Sequence, residues 1–101
     1  MQIQVHTDHN IALHEPLSEH VKSVVETSMS RFERRITRVE VHIGDENGHR
    51  GGRRDKRCTM EARLSGREPT VVTHHALSVD EAVTGAAHKL IAAVTHVVGR
   101  T

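Results

Sequence analysis

Cationic side chains clustered in one glycine-rich segment offer the clearest chemistry in this 101-residue chain. Five of them lie within eight residues: Arg50, Arg53, Arg54, Lys56 and Arg57. A guanidinium binds phosphate through a planar fork of N–H donors, and the adjacent glycines let a loop follow a phosphate backbone. The segment is interpreted either as a phosphate-binding loop or as a solvated basic loop without a partner.

A second group of cations lies on the first predicted helix, where the charges are sorted by sign. The acidic residues Glu15, Glu19, Glu26 and Glu33 fall on one flank of the apolar stripe when each residue is projected at ~100° per step. His20, Arg31 and Arg34 fall on the other flank. The second flank is either an anion-binding surface or an ordinary solvated helix face.

Histidine is frequent, with ten residues in the chain. His6, Asp8, His9 and His14 lie close in sequence and offer ligands suited to Zn²⁺ or Ni²⁺. Their spacing matches no established ligand motif, so we predict scattered loop histidines, with no metal site and no cofactor. His74 and His75 are neighbours on a predicted strand and point to opposite faces.

Signals for catalysis are weak. Cys58 falls on the apolar face of a predicted strand, which favours a small buried hydrophobic side chain over a nucleophile. The sequence has no Gly-x-Ser-x-Gly elbow, no phosphate-cradling glycine loop and no HExxH motif. We therefore predict no catalytic residue and no enzyme. A small metal-binding or hydrolytic histidine-rich stress protein is the alternative.

Composition excludes several classes of protein. Phe32 is the single aromatic residue, so a surface that stacks bases on aromatic side chains, as in RRM or cold-shock domains, is not expected. The formal net charge is +1, and no run approaches the ~18 to 20 apolar residues of a membrane span. One unpaired cysteine and an opening segment unlike a leader predict a cytoplasmic protein.

The elements that must position these residues follow from hydrophobic periodicity. Alternation at period two predicts strands, and apolar residues at helical spacing predict helices. The predicted strands cover 1–6, 38–43, 58–65 and 70–75, the helices cover about 15–35 and 79–98, and a loop covers 44–56. Ser78 and Glu81 have the spacing of a capping box at the start of the second helix, and Leu77 is placed to contact Ala82.

This order predicts one α+β domain over residues 1–101, a two-layer β-α-β-β-β-α sandwich. A right-handed crossover makes the first two strands parallel, and hairpins make the remaining pairs of the four-stranded mixed sheet antiparallel. Each helix has one apolar stripe, so both cover one face of the sheet and leave the other open. The predicted core comprises Leu17, Val21, Phe32, Val41, Met60, Leu64, Val83 and Leu90.

The sequence resembles the hibernation-promoting factor and ribosome-associated inhibitor (sigma-54 modulation protein) family in its short form. The resemblance rests on the opening MQIQV, on RFERRI at 31–36, on VEVHI at 39–43 and on the hairpin around Ser65–Gly66. It continues through EAV at 81–83 to HKL at 88–90. No single motif is diagnostic; their order and spacing carry the resemblance.

The resemblance implies a fold similar to double-stranded-RNA-binding domains and a non-enzymatic function. Such a protein binds rRNA of the small ribosomal subunit in the path of mRNA and tRNA and inactivates idle ribosomes by occupancy. It implies no DNA or membrane partner, and we expect a monomer off the ribosome. With the basic loop included, the predicted nucleic-acid-binding residues are Lys22, Arg31, Arg34, Arg35, Arg50, Arg53, Arg54, Lys56, His88 and Lys89.

Two departures from the family pattern concern charge and aromaticity. Asp80 stands where the family has a tyrosine, and Gly99–Thr101 stands where many members continue into a lysine-rich tail. The basic loop is expected to replace part of that charge. Without an additional C-terminal domain, dimerisation of ribosomes through such a domain is not expected.

Overall fold

The computed structural model describes residues 1–46 and 55–99, and it has the predicted α+β order. The elements are β1 (Gln2–Thr7), α1 (Glu15–Met29), a short 3₁₀ helix (Ser30–Phe32), β2 (Ile36–Asp45), β3 (Lys56–Leu64), β4 (Thr70–Ala76) and α2 (Val79–Gly99). The segment 50–54 of the predicted basic loop lies outside the described residues.

The four strands form one mixed sheet in the order β1-β2-β3-β4. β1 and β2 are parallel, with Ile3 opposite Val39, and the other two pairs are antiparallel. It follows that β4 runs in the same direction as β1 and β2. Each helix returns across the sheet after one of these strands, so α1 and α2 run in the same direction as each other.

The core lies between the sheet and the two helices. Seven of the eight predicted core residues are buried, including Phe32, Met60 and Leu90. Leu17 is only half-buried at the edge of the core, because it lies in the first turn of α1. In β4, Val72 packs against the core and Val71 is exposed, which fixes the register of a strand whose two valines point to opposite faces.

Two predicted boundaries are wrong. The helix predicted to continue to residue 35 ends at Met29, where the Ser30 hydroxyl donates a hydrogen bond to the Thr27 carbonyl and the chain tightens into the 3₁₀ turn. Gly44 and Asp45 belong to β2 rather than to a loop. A Cβ at Gly44 would lie 2.7 Å from an Asp8 carboxylate oxygen, so glycine suits this crowded position.

The start of α2 confirms the capping box. The Ser78 hydroxyl accepts a hydrogen bond from the Glu81 amide at 3.1 Å and donates one to the Glu81 carboxylate at 3.0 Å. The predicted contact of Leu77 with Ala82 is wrong, since the Leu77 side chain is exposed. Hydrogen bonding by Ser78 therefore fixes this helix start without the hydrophobic contact.

Gly85 allows α2 to approach β4 closely. It lies in the interior of the helix, where glycine is less favourable than alanine by about 1 kcal/mol. A Cβ at this position would overlap the imidazole of His74, which is half-buried beneath the helix. The glycine is therefore explained by the packing of His74 against the helix backbone.

Replacing Phe32 with alanine is expected to destabilise the protein by about 3 to 5 kcal/mol, because it removes the largest buried ring from the core. Chemical denaturation measures the change. Val71→Ala is the control and should change stability by less than about 0.5 kcal/mol, since Val71 lies on the open face. Equal effects of the two substitutions would contradict the packing described here.

Gly85→Ala is expected to destabilise the protein despite the higher helix propensity of alanine, because the added methyl displaces His74. The His74→Ala background provides the control. There the same Gly85→Ala change should stabilise the protein by about 0.5 to 1 kcal/mol, since the obstructing ring is gone. A stabilising effect of Gly85→Ala in the parent protein would contradict the close approach.

Candidate nucleic-acid interface

Four arginines of the described residues lie at one end of the molecule. Both helices end there, where β2 begins and where the β3–β4 turn lies, because of the strand directions given above. This end, here called the arginine end, carries Arg31, Arg34, Arg35 and Arg67, together with Glu33 and Glu68. The opposite end carries the acidic residues Asp8, Asp45, Glu46, Asp55, Asp80 and Glu81, together with Lys56 and Arg57.

Three arginines of this end line one cavity of about 440 Å³. Its lining comprises Arg34, Arg35, Leu64, Ser65, Arg67 and Val98. The Ser65 amide donates a hydrogen bond to the Arg35 carbonyl at 3.1 Å, which holds the β3–β4 turn against the segment after α1. Within the described residues, no carboxylate lies within 4 Å of the three guanidiniums, so their donors are available to an anion.

Arg67 was not among the predicted binding residues. It lies in the short turn between β3 and β4, where Gly66 adopts a positive φ of 74° and the Arg67 amide donates to the Leu64 carbonyl at 3.3 Å. Sequence spacing alone separates Arg67 from Arg34 and Arg35 by more than 30 positions. The predicted strand directions could have indicated that Arg67 lies near Arg34 and Arg35, because the β3–β4 turn must lie beside the start of β2.

Arg31 is held by an aromatic ring. Its guanidinium carbon lies 5.3 Å from the centroid of the Phe32 ring, a distance at which cation–π attraction operates. Because Phe32 is buried, its ring offers no exposed surface on which a base could stack. The described residues therefore offer no Phe, Tyr or Trp surface of the kind on which RRM and cold-shock domains stack bases.

A groove between α1 and α2 contains polar side chains from both helices. Its volume is about 310 Å³, and its lining comprises His20, Ser23, Val24, Thr27, Ser28, Thr84, Ala87 and His88. At one end, His20 Nε2 lies 2.7 Å from Asp80 Oδ1. The predicted residue His88 thus faces the groove, although His20 is already paired with a carboxylate.

The remaining predicted cations are distributed over the helical surface. Lys22 is exposed on α1 beside Glu19 and Glu26. Lys89 is exposed on α2, and its ammonium donates a hydrogen bond to the Thr73 carbonyl of the edge strand β4 at 2.9 Å. The structure therefore brings Arg34 and Arg35 together, whereas Lys22 and Lys89 lie on separate helices.

Lys56 differs from the other predicted cations because it is already paired. Its ammonium lies 3.2 Å from Asp45 Oδ2 and 3.3 Å from Asp55 Oδ1, and both aspartates are buried. The hydrogen bond that the Lys56 ammonium donates to Asp45 is the main reason that the pKa of Lys56 is raised. The expected position of Lys56 in a loop is wrong, since it begins β3. The contact of Lys56 with RNA stays a prediction, although Asp45 and Asp55 already neutralise the charge of its ammonium.

The histidines are arranged differently from the group considered in the sequence. His14 caps α1 by accepting a hydrogen bond from the Leu17 amide at 3.1 Å, and Asp8 accepts one from the Asp45 amide at 3.1 Å. His6 instead lies beside His42 on the open face of the sheet, with Glu40 next to both. The parallel register of β1 and β2, which places His6 opposite His42, produces this cluster.

Cys58 is fully buried in β3, as its position on the apolar face predicted. Burial disfavours the thiolate and raises the pKa of Cys58 to about 12. Since the thiolate is the reactive form, this side chain is unsuited to nucleophilic chemistry at neutral pH.

Comparison with known proteins identifies the family. The sequence matches the family described as sigma 54 modulation protein / S30EA ribosomal protein over residues 4–101. The chain belongs to this family. The resemblance to hibernation-promoting factors is thereby confirmed. As a member of the S30EA family, the protein is a ribosome-associated factor with a role in translation regulation. The family comprises ribosome-associated factors and is not known as an enzyme family.

Solved structures support the same fold at low sequence identity. The N-terminal domain of Protein Y from Thermus thermophilus has a TM-score of 0.77 at 14% identity, covering 95% of this chain and 98% of that one. A ribosomal subunit interface protein from Coxiella burnetii has a TM-score of 0.69 at 16% identity, covering 91% of each chain. No curated protein sequence matched the chain.

Among the described helices, α2 is long and apolar enough to cross a membrane by length and composition. In this S30EA family member, however, one side of α2 is buried against the sheet, including Val83, Leu90 and Val94. The core of the fold therefore accounts for these buried apolar residues.

Native Cys58 is expected to resist modification by a thiol reagent at about pH 8, and to react fully once denaturant unfolds the chain, because burial keeps it protonated. The rate of thiol release from a disulfide reagent measures this. Stability should also fall as pH rises above about 9, since the unfolded thiol ionises first. Rapid, complete labelling of the folded protein would contradict the burial.

Proposed function

We propose that this protein binds rRNA of the small ribosomal subunit in the path of mRNA and tRNA and inactivates idle ribosomes by occupying that path. Membership of the S30EA family supports the ribosome as partner. The observation that carries the proposal is the cavity lined by Arg34, Arg35 and Arg67, whose guanidiniums have no carboxylate partner among the described residues.

Three arginines around one cavity are suited to the phosphates of a folded RNA backbone. Each guanidinium presents N–H donors in a fixed plane and binds two phosphate oxygens at once. Phosphate contacts position a protein on a nucleic acid, and they do not require a particular base sequence. The arginine end is therefore proposed to contact rRNA through backbone and shape.

The helical surface is proposed to extend this contact. Arg31 is exposed in the segment directly after α1, while Lys22, His88 and Lys89 lie on the exposed surfaces of α1 and α2. Ser23, Thr27 and Thr84 of the groove between the helices add hydroxyl groups, which commonly bind phosphate and ribose oxygens. Arg50, Arg53 and Arg54 remain proposed contacts that lie outside the described residues.

Occupancy rather than catalysis is the proposed mode of action. The described chain presents no exposed aromatic surface for base reading, and its cysteine is buried and protonated. With a formal net charge of +1, the protein lacks a strong overall field, so binding depends on where its arginines lie. A rigid domain seated in the path of mRNA and tRNA excludes both ligands without a chemical step.

The remaining expectations on partners are proposed on the same basis. The outward residues of the sheet are mostly polar or charged, and they include Gln2, Gln4, Glu40, His42, Thr59, Glu61 and Arg63. Such a face is unlike the apolar centre of an obligate interface, which supports a monomer off the ribosome. We further propose a cytoplasmic protein without DNA or membrane partners.

Replacing Arg34 and Arg35 with glutamine is expected to weaken binding to purified small subunits and to flatten the dependence of log affinity on log salt by ~1 for each arginine. The two substitutions remove exposed cations without disturbing the core. Sucrose-gradient co-sedimentation at several salt concentrations measures the affinity. Two measurements test where the protein binds on the subunit. The parent protein should protect rRNA nucleotides of the mRNA path, and a bound mRNA–tRNA pair should displace it.

The matched control is the Ala12→Glu/Leu13→Glu variant. It changes the net charge by the same amount, at two exposed positions of the β1–α1 connection, which lies at the end opposite the arginines. Its affinity and salt dependence should stay near those of the parent protein. Equal losses in the two variants would indicate that net charge governs binding, and unchanged binding of the arginine variant would contradict the proposed interface.

A further inference from the structure

We propose that His6, Glu40 and His42 form a binding site for a divalent transition-metal ion, Zn²⁺ in particular, on the open face of the sheet. The site lies on the side of the sheet opposite the helices and is separate from the arginine end. The proposal goes beyond ribosome binding and does not depend on it.

The three side chains converge on one point. His6 Nε2 lies 3.5 Å and His42 Nε2 lies 4.0 Å from the same oxygen, Glu40 Oε1. One ligand atom from each of the three residues lies within 4.8 Å of the others. Ligands that are ~2.0 to 2.1 Å from a tetrahedral zinc ion lie ~3.3 Å apart. The two rings are now nearly parallel, so each must rotate until its plane contains the ion, and both rings are about half-exposed.

The pairing of the two strands brings these side chains together, so the cluster does not depend on chance contacts between flexible side chains. His6 and His42 occupy directly opposed positions on the parallel strands β1 and β2, and Glu40 projects from the same face two residues before His42. The two imidazoles are stacked, with centroids 4.7 Å apart and an interplanar angle of 17°. Both rings place Nε2 within 4.0 Å of Glu40 Oε1.

Neighbouring charges orient the carboxylate and balance one another. Glu40 Oε2 lies 3.1 Å from Arg38 and 3.9 Å from Arg63, which leaves Oε1 directed toward the histidines. Arg63 is also paired with Glu61 at 3.7 Å. With the ligand Glu40 included, the formal charges of these two arginines and two glutamates cancel, so the site and its charged neighbours together are neutral before the ion binds.

The donor set selects the class of metal. Two imidazole nitrogens and one carboxylate oxygen suit Zn²⁺ and its first-row neighbours, whereas Mg²⁺ and Ca²⁺ prefer oxygen ligands alone. His6 and His42 are about half-exposed, which leaves a fourth position for water. A bound ion would also connect the edge strand β1 to β2, and would therefore stabilise the folded chain.

Calorimetric titration of the full chain with ZnCl₂ is the first test. We expect a site that binds one ion per chain, with affinity reduced about tenfold or more in His6→Gln and in His42→Gln, because each removes a ligand. Titration with MgCl₂ should show no binding that these substitutions affect. Co²⁺ is the spectroscopic probe, and its visible absorption should weaken in both variants.

His9→Gln and His96→Gln are the matched controls, since both histidines are exposed and lie outside the cluster. They should leave Zn²⁺ affinity and the zinc-induced rise in melting temperature unchanged. The proposal is overturned if the parent protein does not bind Zn²⁺, if both cluster variants bind as the parent does, or if a control loses as much affinity. Circular dichroism establishes that the variants are folded, and small-subunit co-sedimentation is a separate readout that should not change.

Discussion

Burial of one face of a four-stranded sheet beneath two helices that run in the same direction is the constraint on which the rest of the structure depends. Each helix has a single apolar stripe, and the two stripes are buried together against the sheet, with α1 packing on both β1 and α2. Because β1 and β4 run in the same direction, each following helix must return the opposite way. This topology brings the C-terminal ends of α1 and α2, the start of β2 and the β3–β4 turn together at one end of the molecule.

Charge is distributed in accordance with that geometry. The arginine end lies beyond the C-terminal ends of both helices, whereas Glu15, Asp80 and Glu81 lie in the first turns of α1 and α2, where the helix dipole favours acidic side chains. A chain with almost no net charge thereby presents a locally concentrated group of guanidiniums. At the opposite end, Lys56 is paired with Asp45 and Asp55. Unlike the arginines of the arginine end, this cation contributes to ion pairs within the described part of the fold.

Local patterns in the sequence predicted the elements and their order, whereas the sites depended on relations between elements. Alternation gave the four strands, and the spacing of Ser78 and Glu81 gave the start of α2. The end of α1 was missed because a single hydrogen bond from Ser30 competes with continued helix. Arg67 was missed because its neighbours are distant in sequence, although the hairpin direction implied its position. Shifting one parallel strand by two residues leaves every side chain on the same face of the sheet, so the alternating pattern fits several registers. The sequence pattern therefore could not predict that His6 lies opposite His42.

The two faces of the sheet separate the two kinds of chemistry in this protein. The face beneath the helices is closed by apolar packing and by His74 against Gly85, so only the outer surfaces of the helices and the arginine end are available to a polyanion. The open face instead places His6 directly opposite His42, with Glu40 two residues away on the same face, because neighbouring strands place side chains about 5 Å apart. Phosphate binding needs guanidiniums without carboxylate partners, whereas a transition-metal site needs imidazoles beside a carboxylate. A sheet covered on one side only therefore keeps the carboxylates of its open face away from the arginines that are proposed to contact rRNA.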